Sequence, residues 1–387
     1  MRPRGGSGGE RLRPGVEKDD QAADRRRDRI RPPSNPLDEE RRPSIASKPR
    51  VAITVVPSLS HVDPTHPEHP RRLEDLTEAA VGAFGDALLV VPAIAADEES
   101  ILAVHPPAHL DFLRRACQQA PAIIDFAPTF VTADSFDGAL QAAGGTLEVL
   151  RAVLDGRAAS GFAAVRPPGH HATPGRAMGF CLLNNIAIAA RAAQGLGCGK
   201  VMIVDFDVHH GNGTQEAFEA DRTVLYFSSH QQGIYPGTGR LEERGLGSAQ
   251  GYTVNLPLPA YAGDEAFDQI VAAFLRPLAR RFSPDLLLVS AGYDAHWMDP
   301  LANLQLTTVG FHRLSLALME IARSHCGGRA VFILEGGYDA AVVREGVLAS
   351  ISAMTGDVVP FDRLGPAPVP AADVRHLLRA AQVLHGL

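Results

Sequence analysis

The sequence predicts an α/β fold built on a mainly parallel sheet with helices on both faces. Short runs rich in β-branched residues alternate with longer runs rich in alanine and leucine over most of the 387 residues. The strand candidates are continuously apolar, which is typical of parallel strands buried on both sides. Hydrophobic residues make up 45% of the chain, so a large core is available.

The predicted elements follow one another without a linker. The candidate strands are 51–56, 161–166, 201–207, 223–228, 253–256, 286–291 and 330–334. The candidate helices are 71–84, 98–103, 107–118, 135–154, 184–196, 265–282, 308–324 and 340–354. We therefore expect a single domain over 49–387. The basic, proline-rich segment 1–48 lacks the apolar pattern that would offset its ordering entropy, so we expect a disordered tail.

The amino-acid composition indicates which cellular compartment and which binding partners to expect for this chain. Residues 1–50 carry a net charge of +5 and the remainder −12, which gives the total of −7. An acidic body argues against direct nucleic-acid binding and mildly favours cationic substrates. No apolar run reaches the roughly 18 residues that span a bilayer, and no secretory signal is apparent. The four cysteines are widely spaced, which indicates reduced thiols. We expect a cytoplasmic protein without membrane contacts, and the oligomeric state stays open.

The most informative stretch is 203–213, where an apolar strand runs into acids and histidines before a glycine turn. If strand alternation of period two continues, Asp205, Asp207 and His209 share one face. Asp207 and His209 then offer an oxygen and a nitrogen to one divalent cation, a donor pair that suits zinc. A capped strand end is the alternative for a single aspartate, but so dense a run disfavours it.

Polar residues also follow two other predicted strands. Asp294, in SAGYDAHWMDPL, stands where a third metal ligand would leave one coordination position for water. His296 is the rival candidate for this ligand and is disfavoured. In RPPGHHA, prolines and a glycine hold His170 and His171 on a restrained turn behind a buried strand. That placement favours general acid/base work over a merely exposed pair.

Three aromatic side chains complete the candidate site. Tyr338 follows two glycines at a strand exit and can donate its hydroxyl to a developing oxyanion. The alternative for this segment is ordinary turn chemistry. Phe180 and Tyr235 are candidates for parallel walls around an aliphatic chain, with core or rim packing as the alternative.

Six motifs occur in an order that resembles the zinc-dependent histone deacetylases, above all the class II type and the bacterial histone deacetylase-like amidohydrolases. They are RPPGHHA, GFCLLNN, VDFDVHHGNGTQ, YPGTG, SAGYDAHWMDPL and EGGY. The resemblance implies an arginase/deacetylase-like three-layer fold with a central, mainly parallel sheet of eight strands. It also implies a hydrolase that removes acetyl or related acyl groups from lysine side chains with zinc and a metal-activated water.

The resemblance further implies four sets of site residues. The zinc ligands are Asp207, His209 and Asp294. The catalytic set is His170, His171 and Tyr338, with Asp205 supporting the first histidine and Asn212 the second. The substrate tunnel is lined by Gly179, Phe180, Tyr235 and Leu301. A structural potassium ion is bound around Asp205, Ser228 and Ser229, with backbone near Asp207 and His209. His171 is the better candidate for the general base, but the assignment between the two histidines stays open.

Several alternatives stay open as well. A deacetylase of acetylpolyamines or other small acetylated amines uses the same chemistry. Leu301 stands where polyamine-selective relatives carry a glutamate, which weakens that alternative. An inactive acyl-lysine binding protein is disfavoured because the ligands, the histidine pair and Tyr338 are all present. A two-manganese ureohydrolase shares the fold but not the GHH and EGGY segments. Leu183, where relatives often have an aromatic residue, is interpreted as a packing change.

Overall fold

The computed structural model describes residues 50–357 and 362–387. The strands are β1 (Val51–Val56), β2 (Leu88–Val90), β3 (Ala122–Ile123), β4 (Phe130–Val131), β5 (Ser160–Val165), β6 (Val201–Asp205), β7 (Val224–Gln231), β8 (Thr253–Leu258), β9 (Leu286–Ala291) and β10 (Ala330–Leu334). The helices are α1 (Leu76–Phe84), α2 (Glu98–Leu102), α3 (Pro107–Gln118), α4 (Ser135–Leu154), α5 (Asn185–Gly195), α6 (Asn212–Phe218), α7 (Asp264–Ile270), α8 (Arg276–Phe282), α9 (Thr308–His325), α10 (Ala340–Thr355) and α11 (Arg375–His385).

The predicted boundary between a disordered tail over 1–48 and a single domain over 49–387 stays a prediction, because the tail lies outside the described residues. The described residues, 50–357 and 362–387, group into one compact unit. Within the described ranges, none of the helices combines the length and the apolar character that crossing a bilayer requires.

Eight strands form one sheet in the order β2-β1-β5-β10-β9-β6-β7-β8, with all neighbouring pairs parallel. The predicted fold class and the eight-stranded sheet are confirmed. Because β9 and β10 insert between β5 and β6, the four central strands come from distant parts of the chain. Parallel strands align their carboxyl ends, so the polar segments that follow these four strands meet at one edge of the sheet.

The sheet is buried on both faces. In β6, Met202 and Val204 belong to one hydrophobic cluster, whereas Val201 and Ile203 belong to the other. This alternation follows from the two-residue period of a strand, with one helical layer covering each face. Fully burying such a side chain contributes about 1.5–3 kcal/mol, so the rigid core that carries the site rests mainly on these apolar strands.

Several predicted boundaries were wrong for identifiable reasons. β6 ends at Asp205 rather than at 207, because the chain turns there, and β7 continues to Gln231. The helix predicted over 71–84 is divided: a 3-10 turn precedes α1, and Asp75 between them has a left-handed φ of 55°. The three short strands β2, β3 and β4 were not predicted, nor were α6 and α11.

The helix predicted over 265–282 is interrupted by a π-helical turn over Val271–Leu275. Pro277 lies just beyond this turn, at the start of α8. Proline has no backbone N–H and its ring disturbs the preceding turn, so the regular α-helical ladder is broken there.

Candidate active site

Three buried side chains, those of Asp207, His209 and Asp294, lie close enough together to share one metal ion. One ligand atom from each lies within 4.8 Å of the others. His209 Nδ1 is 3.2 Å from Asp207 Oδ1 and 3.2 Å from Asp294 Oδ2. Two carboxylates and an imidazole form a donor set that suits zinc and leaves a coordination position for water. The rival ligand His296 lies outside this group, and its Nδ1 accepts a hydrogen bond from the amide of Met298.

A tight turn, rather than strand alternation, brings the first two ligands together. β6 ends at Asp205, whose Oδ1 accepts a hydrogen bond of 3.1 Å from the Asp207 amide. Asp207 Oδ1 in turn accepts one of 2.9 Å from the His209 amide. Asp294, arriving from the end of β9, accepts a third, of 2.9 Å, from the Val208 amide. Asp207 and His209 are therefore brought together because the side chains of Asp205 and Asp207 each accept a hydrogen bond from the backbone amide two residues further along. Strand alternation does not produce this arrangement.

Two glycines allow the neighbouring strand exits to approach these carboxylates. A Cβ atom at Gly292 would collide with Asp207, and one at Gly336 would collide with both Asp207 and Asp294. The amide of Gly336 donates a 2.7 Å hydrogen bond to Asp207 Oδ2. The backbone at Gly336 thus contacts a candidate ligand directly, a role that the sequence pattern did not indicate.

The tandem histidines lie beside the three ligands. His170 Nδ1 is 3.1 Å from Asp205 Oδ2, and its Nε2 is 3.8 Å from Asp207 Oδ1. His171 Nδ1 is 2.8 Å from Asn212 Oδ1, at the first residue of α6. The two ring centroids are 4.1 Å apart. Each imidazole thus has its Nδ1 held by a different partner, which fixes the ring and leaves Nε2 for chemistry.

The surroundings separate the pKa values of the two histidines. Burial lowers the pKa of His170, but Asp207 and then Asp205 outweigh it and raise that pKa to about 10. Burial, followed by the positive charges of His170 and His209, lowers the pKa of His171 well below its usual value. In the metal-free protein at neutral pH, the first imidazole is therefore a cation and the second is neutral, able to accept a proton.

Without a cation, protons take its place among the ligands. Burial lowers the pKa of His209, but hydrogen bonds to Asp207 and Asp294 outweigh it and raise that pKa to about 10. Burial and then repulsion from Asp207 raise the pKa of Asp294 to about 6. The pKa of Asp207 is held below its usual value, because the attraction of His170 and the hydrogen bonds and charge of His209 outweigh its burial. The cluster is thus anionic at its centre and attracts positive charge.

Glu335, a buried residue at the end of β10, was not selected from the sequence. Its Oε2 accepts hydrogen bonds of 2.7 Å from the Gly169 amide and 3.0 Å from the His170 amide. Its Oε1 accepts another, of 2.9 Å, from Ser290 Oγ. Glu335 therefore joins three central strands and fixes the backbone of the histidine pair. The available signal was an acidic residue directly after a continuously apolar strand.

Tyr338 is held by three contacts that the sequence did not reveal. Its amide donates a 2.8 Å hydrogen bond to Asp299 Oδ2, and the edge of its ring meets Phe180 at 5.8 Å. The guanidinium of Arg72 lies 5.1 Å from its ring centroid. Arg72 is buried, paired at 2.9 Å with Glu68, and donates to the carbonyl of Gly337. The segment on either side of the tyrosine is thereby fixed.

Three of the four predicted tunnel residues lie against His171 or Tyr338. Tyr235 packs edge-on against His171, with ring centroids 5.0 Å apart, whereas Phe180 contacts Tyr338. Gly179 has a φ of +57°, and a Cβ there would collide with His171. Leu301 is 40% exposed. Leu183, the other departure noted in the sequence, is buried in the core.

A buried acid at the rim, Asp125, was also missed by the sequence reasoning. Its Oδ1 accepts a 3.0 Å hydrogen bond from Arg176, and its Oδ2 accepts one of 3.2 Å from the Gly179 amide. The hydroxyl of Tyr235 lies 3.5 Å from the same oxygen. This carboxylate ties the Gly179 turn to the Tyr235 loop, and the nearby guanidinium balances its charge.

The residues expected at a potassium site lie next to β6. Asp205 and Ser228 are partners in the β6–β7 ladder, and Ser228 and Ser229 are buried. Ser228 Oγ is 2.9 Å from His230 Nδ1. Buried backbone and hydroxyl oxygens of this kind are ligands that hard cations prefer.

Comparisons with known proteins agree with this geometry. The family model described as "Histone deacetylase domain" matches residues 66–354. The chain is 39% identical over 360 residues to "Histone deacetylase 14, chloroplastic" of Arabidopsis thaliana, covering 87% of this chain and 85% of the relative. It is 36% identical over 293 residues to the "Histone deacetylase-like amidohydrolase" of Pseudomonas aeruginosa, covering 75% and 76%. A solved structure, "Crystal Structure of HDA15 HD domain", superposes with a TM-score of 0.79 at 34% identity, covering 88% and 95%.

Proposed function

The chain belongs to the histone deacetylase family and is a deacetylase hydrolase, and we propose that it hydrolyses acetyl-lysine side chains with zinc held by Asp207, His209 and Asp294. The observation that carries this proposal is the convergence of these three ligands, within 4.8 Å, beside the neutral imidazole of His171. Zinc in this position would supply Lewis acidity, polarising the acetyl carbonyl and lowering the pKa of the attacking water toward about 7.

Three side chains of the protein have separate roles in the proposed reaction. His171 accepts the proton of the attacking water, because its low pKa keeps it neutral and Asn212 orients its ring. His170, whose Nδ1 is held by Asp205, serves as an electrostatic partner for the negative charge that develops nearby. The Tyr338 hydroxyl donates to the carbonyl oxygen as it becomes an oxyanion. The imidazolium of His171 finally protonates the leaving amine, so that free lysine and acetate result.

The rim favours acetyl-lysine over acetylpolyamines as the substrate. A polyamine needs a carboxylate at the mouth of the tunnel to hold its second cation. Leu301 is apolar and exposed, and the acid Asp125 is already paired at 3.0 Å with Arg176. Neither side chain offers an uncompensated negative charge. The tunnel walls proposed for the aliphatic part of the substrate are Gly179, Phe180 and Tyr235.

The experiment that tests the function measures acetate release from an acetyl-lysine peptide and from acetylspermidine. Activity should disappear with a chelator, return with added zinc and favour the peptide. Zinc binding without turnover of either substrate would instead support an acyl-lysine binding protein. A strong preference for acetylspermidine would support the polyamine alternative.

Two further parts of the proposal concern an ion and a compartment. A structural potassium ion at Asp205, Ser228 and Ser229 is supported by the buried oxygens there, and replacing potassium by sodium should lower the melting temperature. A cytoplasmic location is supported by four buried, free cysteines. Fractionation of cells expressing the full chain tests it, since the plant relative quoted above carries the word chloroplastic in its name.

A further inference from the structure

The amino-terminal edge of the sheet holds a second cavity, on the side away from the catalytic residues. Its volume is 290 Å³, and its lining includes Lys200, which directly precedes β6, and Tyr252, which directly precedes β8. β6 is five residues long. At about 3.3 Å per residue the cavity lies roughly 16 Å from Asp205 at the other end of the strand. It is therefore separate from the site that binds the acetyl group.

The cavity is lined by basic side chains in a chain of net charge −7. Lys200, Arg244, Arg281 and His385 face it, and no acidic side chain from the described ranges lines it. The Lys200 ammonium donates to the carbonyl of Phe282 at 3.0 Å, and Arg281 donates to the carbonyl of His385 at 2.8 Å. These bonds go to neutral backbone groups, so they position the cations without neutralising them.

An acid that contacts the Lys200 backbone does not change this balance. Asp285 accepts a 2.8 Å hydrogen bond from the backbone amide of Lys200 and lies outside the lining of the cavity. The guanidinium of Arg222 lies 5.9 Å from the ring centroid of Tyr252, which lines the cavity. Positive charge therefore dominates the cavity and its border.

Three buried nitrogen atoms at the cavity have no hydrogen-bond partner among the described residues. They are Arg244 Nε and both ring nitrogens of His385. His385 is only 5% exposed. Burial, together with the charges of Arg244 and Arg281, lowers the pKa of His385 to about 4, so at neutral pH one of its ring nitrogens donates and the other accepts. Buried polar groups are almost always hydrogen-bonded, so the Arg244 Nε–H and the one N–H of His385 indicate an acceptor that the described side chains do not supply.

We propose that this cavity binds a small phosphate-bearing anion. Guanidinium groups present paired N–H donors that match phosphate oxygens, and such charge-assisted bonds are among the stronger ones in proteins. Several acceptor oxygens on one ion can meet Arg244, Arg281 and His385 together, which a single chloride cannot. The volume is at the lower limit of the roughly 300–1,000 Å³ typical of ligand pockets, so the ligand is a phosphate ion or a small phosphate ester.

The test uses the full chain and two probes, inorganic phosphate and glycerol 3-phosphate, at an ionic strength held constant with potassium chloride. Titration calorimetry should show saturable binding of at least one probe, and that probe should raise the melting temperature. Arg244→Gln should weaken the affinity about tenfold or more and leave deacetylation unchanged. Arg323→Gln, at an exposed position on α9, removes the same charge elsewhere and should bind as the parent does.

A second variant separates binding from stability. Gln250→Glu adds a carboxylate to the cavity lining, so it should weaken phosphate binding while raising the melting temperature of the phosphate-free chain. Tighter binding of glycerol 3-phosphate would identify an ester as the ligand, and equal or tighter binding of phosphate would identify the free ion. The proposal is overturned if neither probe binds saturably, if Arg244→Gln binds like the parent, or if Arg323→Gln is weakened equally.

Discussion

The two edges of the sheet carry opposite charge, which is buried at the carboxyl edge and largely exposed at the amino edge. At the carboxyl edge, Asp205, Asp207 and Asp294 accept hydrogen bonds from the backbone or from histidines. At the amino edge, the Lys200 ammonium and the Arg281 guanidinium donate to neutral carbonyl groups. The first edge is an anionic cluster whose members are oriented toward one centre, and the second is a cationic cavity without acidic lining.

This difference shows that a cluster of charged side chains does not by itself identify catalytic chemistry. Burying a charged group is costly, and at the carboxyl edge hydrogen bonds and neighbouring opposite charges offset that cost. What distinguishes the catalytic edge is that several distant segments fix each group in place. The predictions below contrast substitutions at the two edges, beginning with the largest expected effect.

Asp294→Ala should abolish zinc binding and turnover. It removes one of three ligands, so the loss of activity should exceed the roughly 10–100-fold that losing an outer hydrogen-bond partner costs. Metal content after dialysis and acetate release measure the effect. The matched control is Asp285→Ala at the amino edge, which should keep both. Retention of stoichiometric zinc in Asp294→Ala would contradict the assignment of the ligand.

Tyr338→Phe should retain zinc but lose about 10²–10³-fold in kcat, because an oxyanion donor is removed while the ligands stay intact. Tyr252→Phe removes a hydroxyl at the amino edge and should leave kcat unchanged. The comparison needs metal analysis and steady-state kinetics on the same preparations. A Tyr338→Phe enzyme with full turnover would show that the hydroxyl has no part in the reaction.

Zinc affinity should rise with pH. In the metal-free chain the pKa of His209 is about 10 and that of Asp294 about 6, so both groups hold protons below these values. Binding displaces them, and the apparent affinity should rise about tenfold per pH unit for each proton displaced. One proton is displaced between about pH 6 and 10, and two below. Competition titrations with a chromophoric chelator from pH 5 to 9 would reveal the slope, and a flat profile would contradict the coupling.

Leu301→Glu should produce the smallest change. A carboxylate at the exposed rim would attract the second cation of acetylspermidine, and exposed charge pairs contribute about 0.2–1 kcal/mol. We therefore expect kcat/KM for acetylspermidine to rise about two- to fivefold relative to an acetyl-lysine peptide, less so at high salt. Leu196→Glu, at an exposed position at the end of α5, serves as the control. An equal change in both variants would show that the residue at position 301 does not influence the choice between the two substrates.

Much of the site could be predicted because the carboxyl ends of parallel strands lie at the same edge of the sheet. Asp294, His170 and Tyr338 each follow an apolar strand, so their approach to Asp207 followed from topology and from the family resemblance. Their roles stay predictions until the variants are measured. The strand-alternation argument for Asp207 and His209 gave the right neighbourhood by the wrong route, since backbone hydrogen bonds in a turn orient both side chains.

The supporting contacts could not be predicted in the same way. Arg72 reaches the carbonyl of Gly337, 265 positions along the chain, and Glu335 reaches the amide of Gly169, 166 positions away. No local pattern encodes such pairings, because they depend on how β5 and β10 come to be neighbours. The helix α11 is a different case: Leu378 and Ala381 lie three positions apart on its buried face, a period that was readable from the sequence.

The Gly336 amide donates a hydrogen bond to Asp207, and Tyr338 lies only two residues further along the chain. Metal binding at the proposed site should therefore affect the position of the Tyr338 side chain. A divalent ion of larger radius than zinc would displace the Asp207 carboxylate outward, and the peptide carrying the tyrosine would follow. Substituting the metal would therefore change the position of the phenolic donor as well as the acidity at the centre. Activity across a series of ions should track ionic size as well as Lewis acid strength.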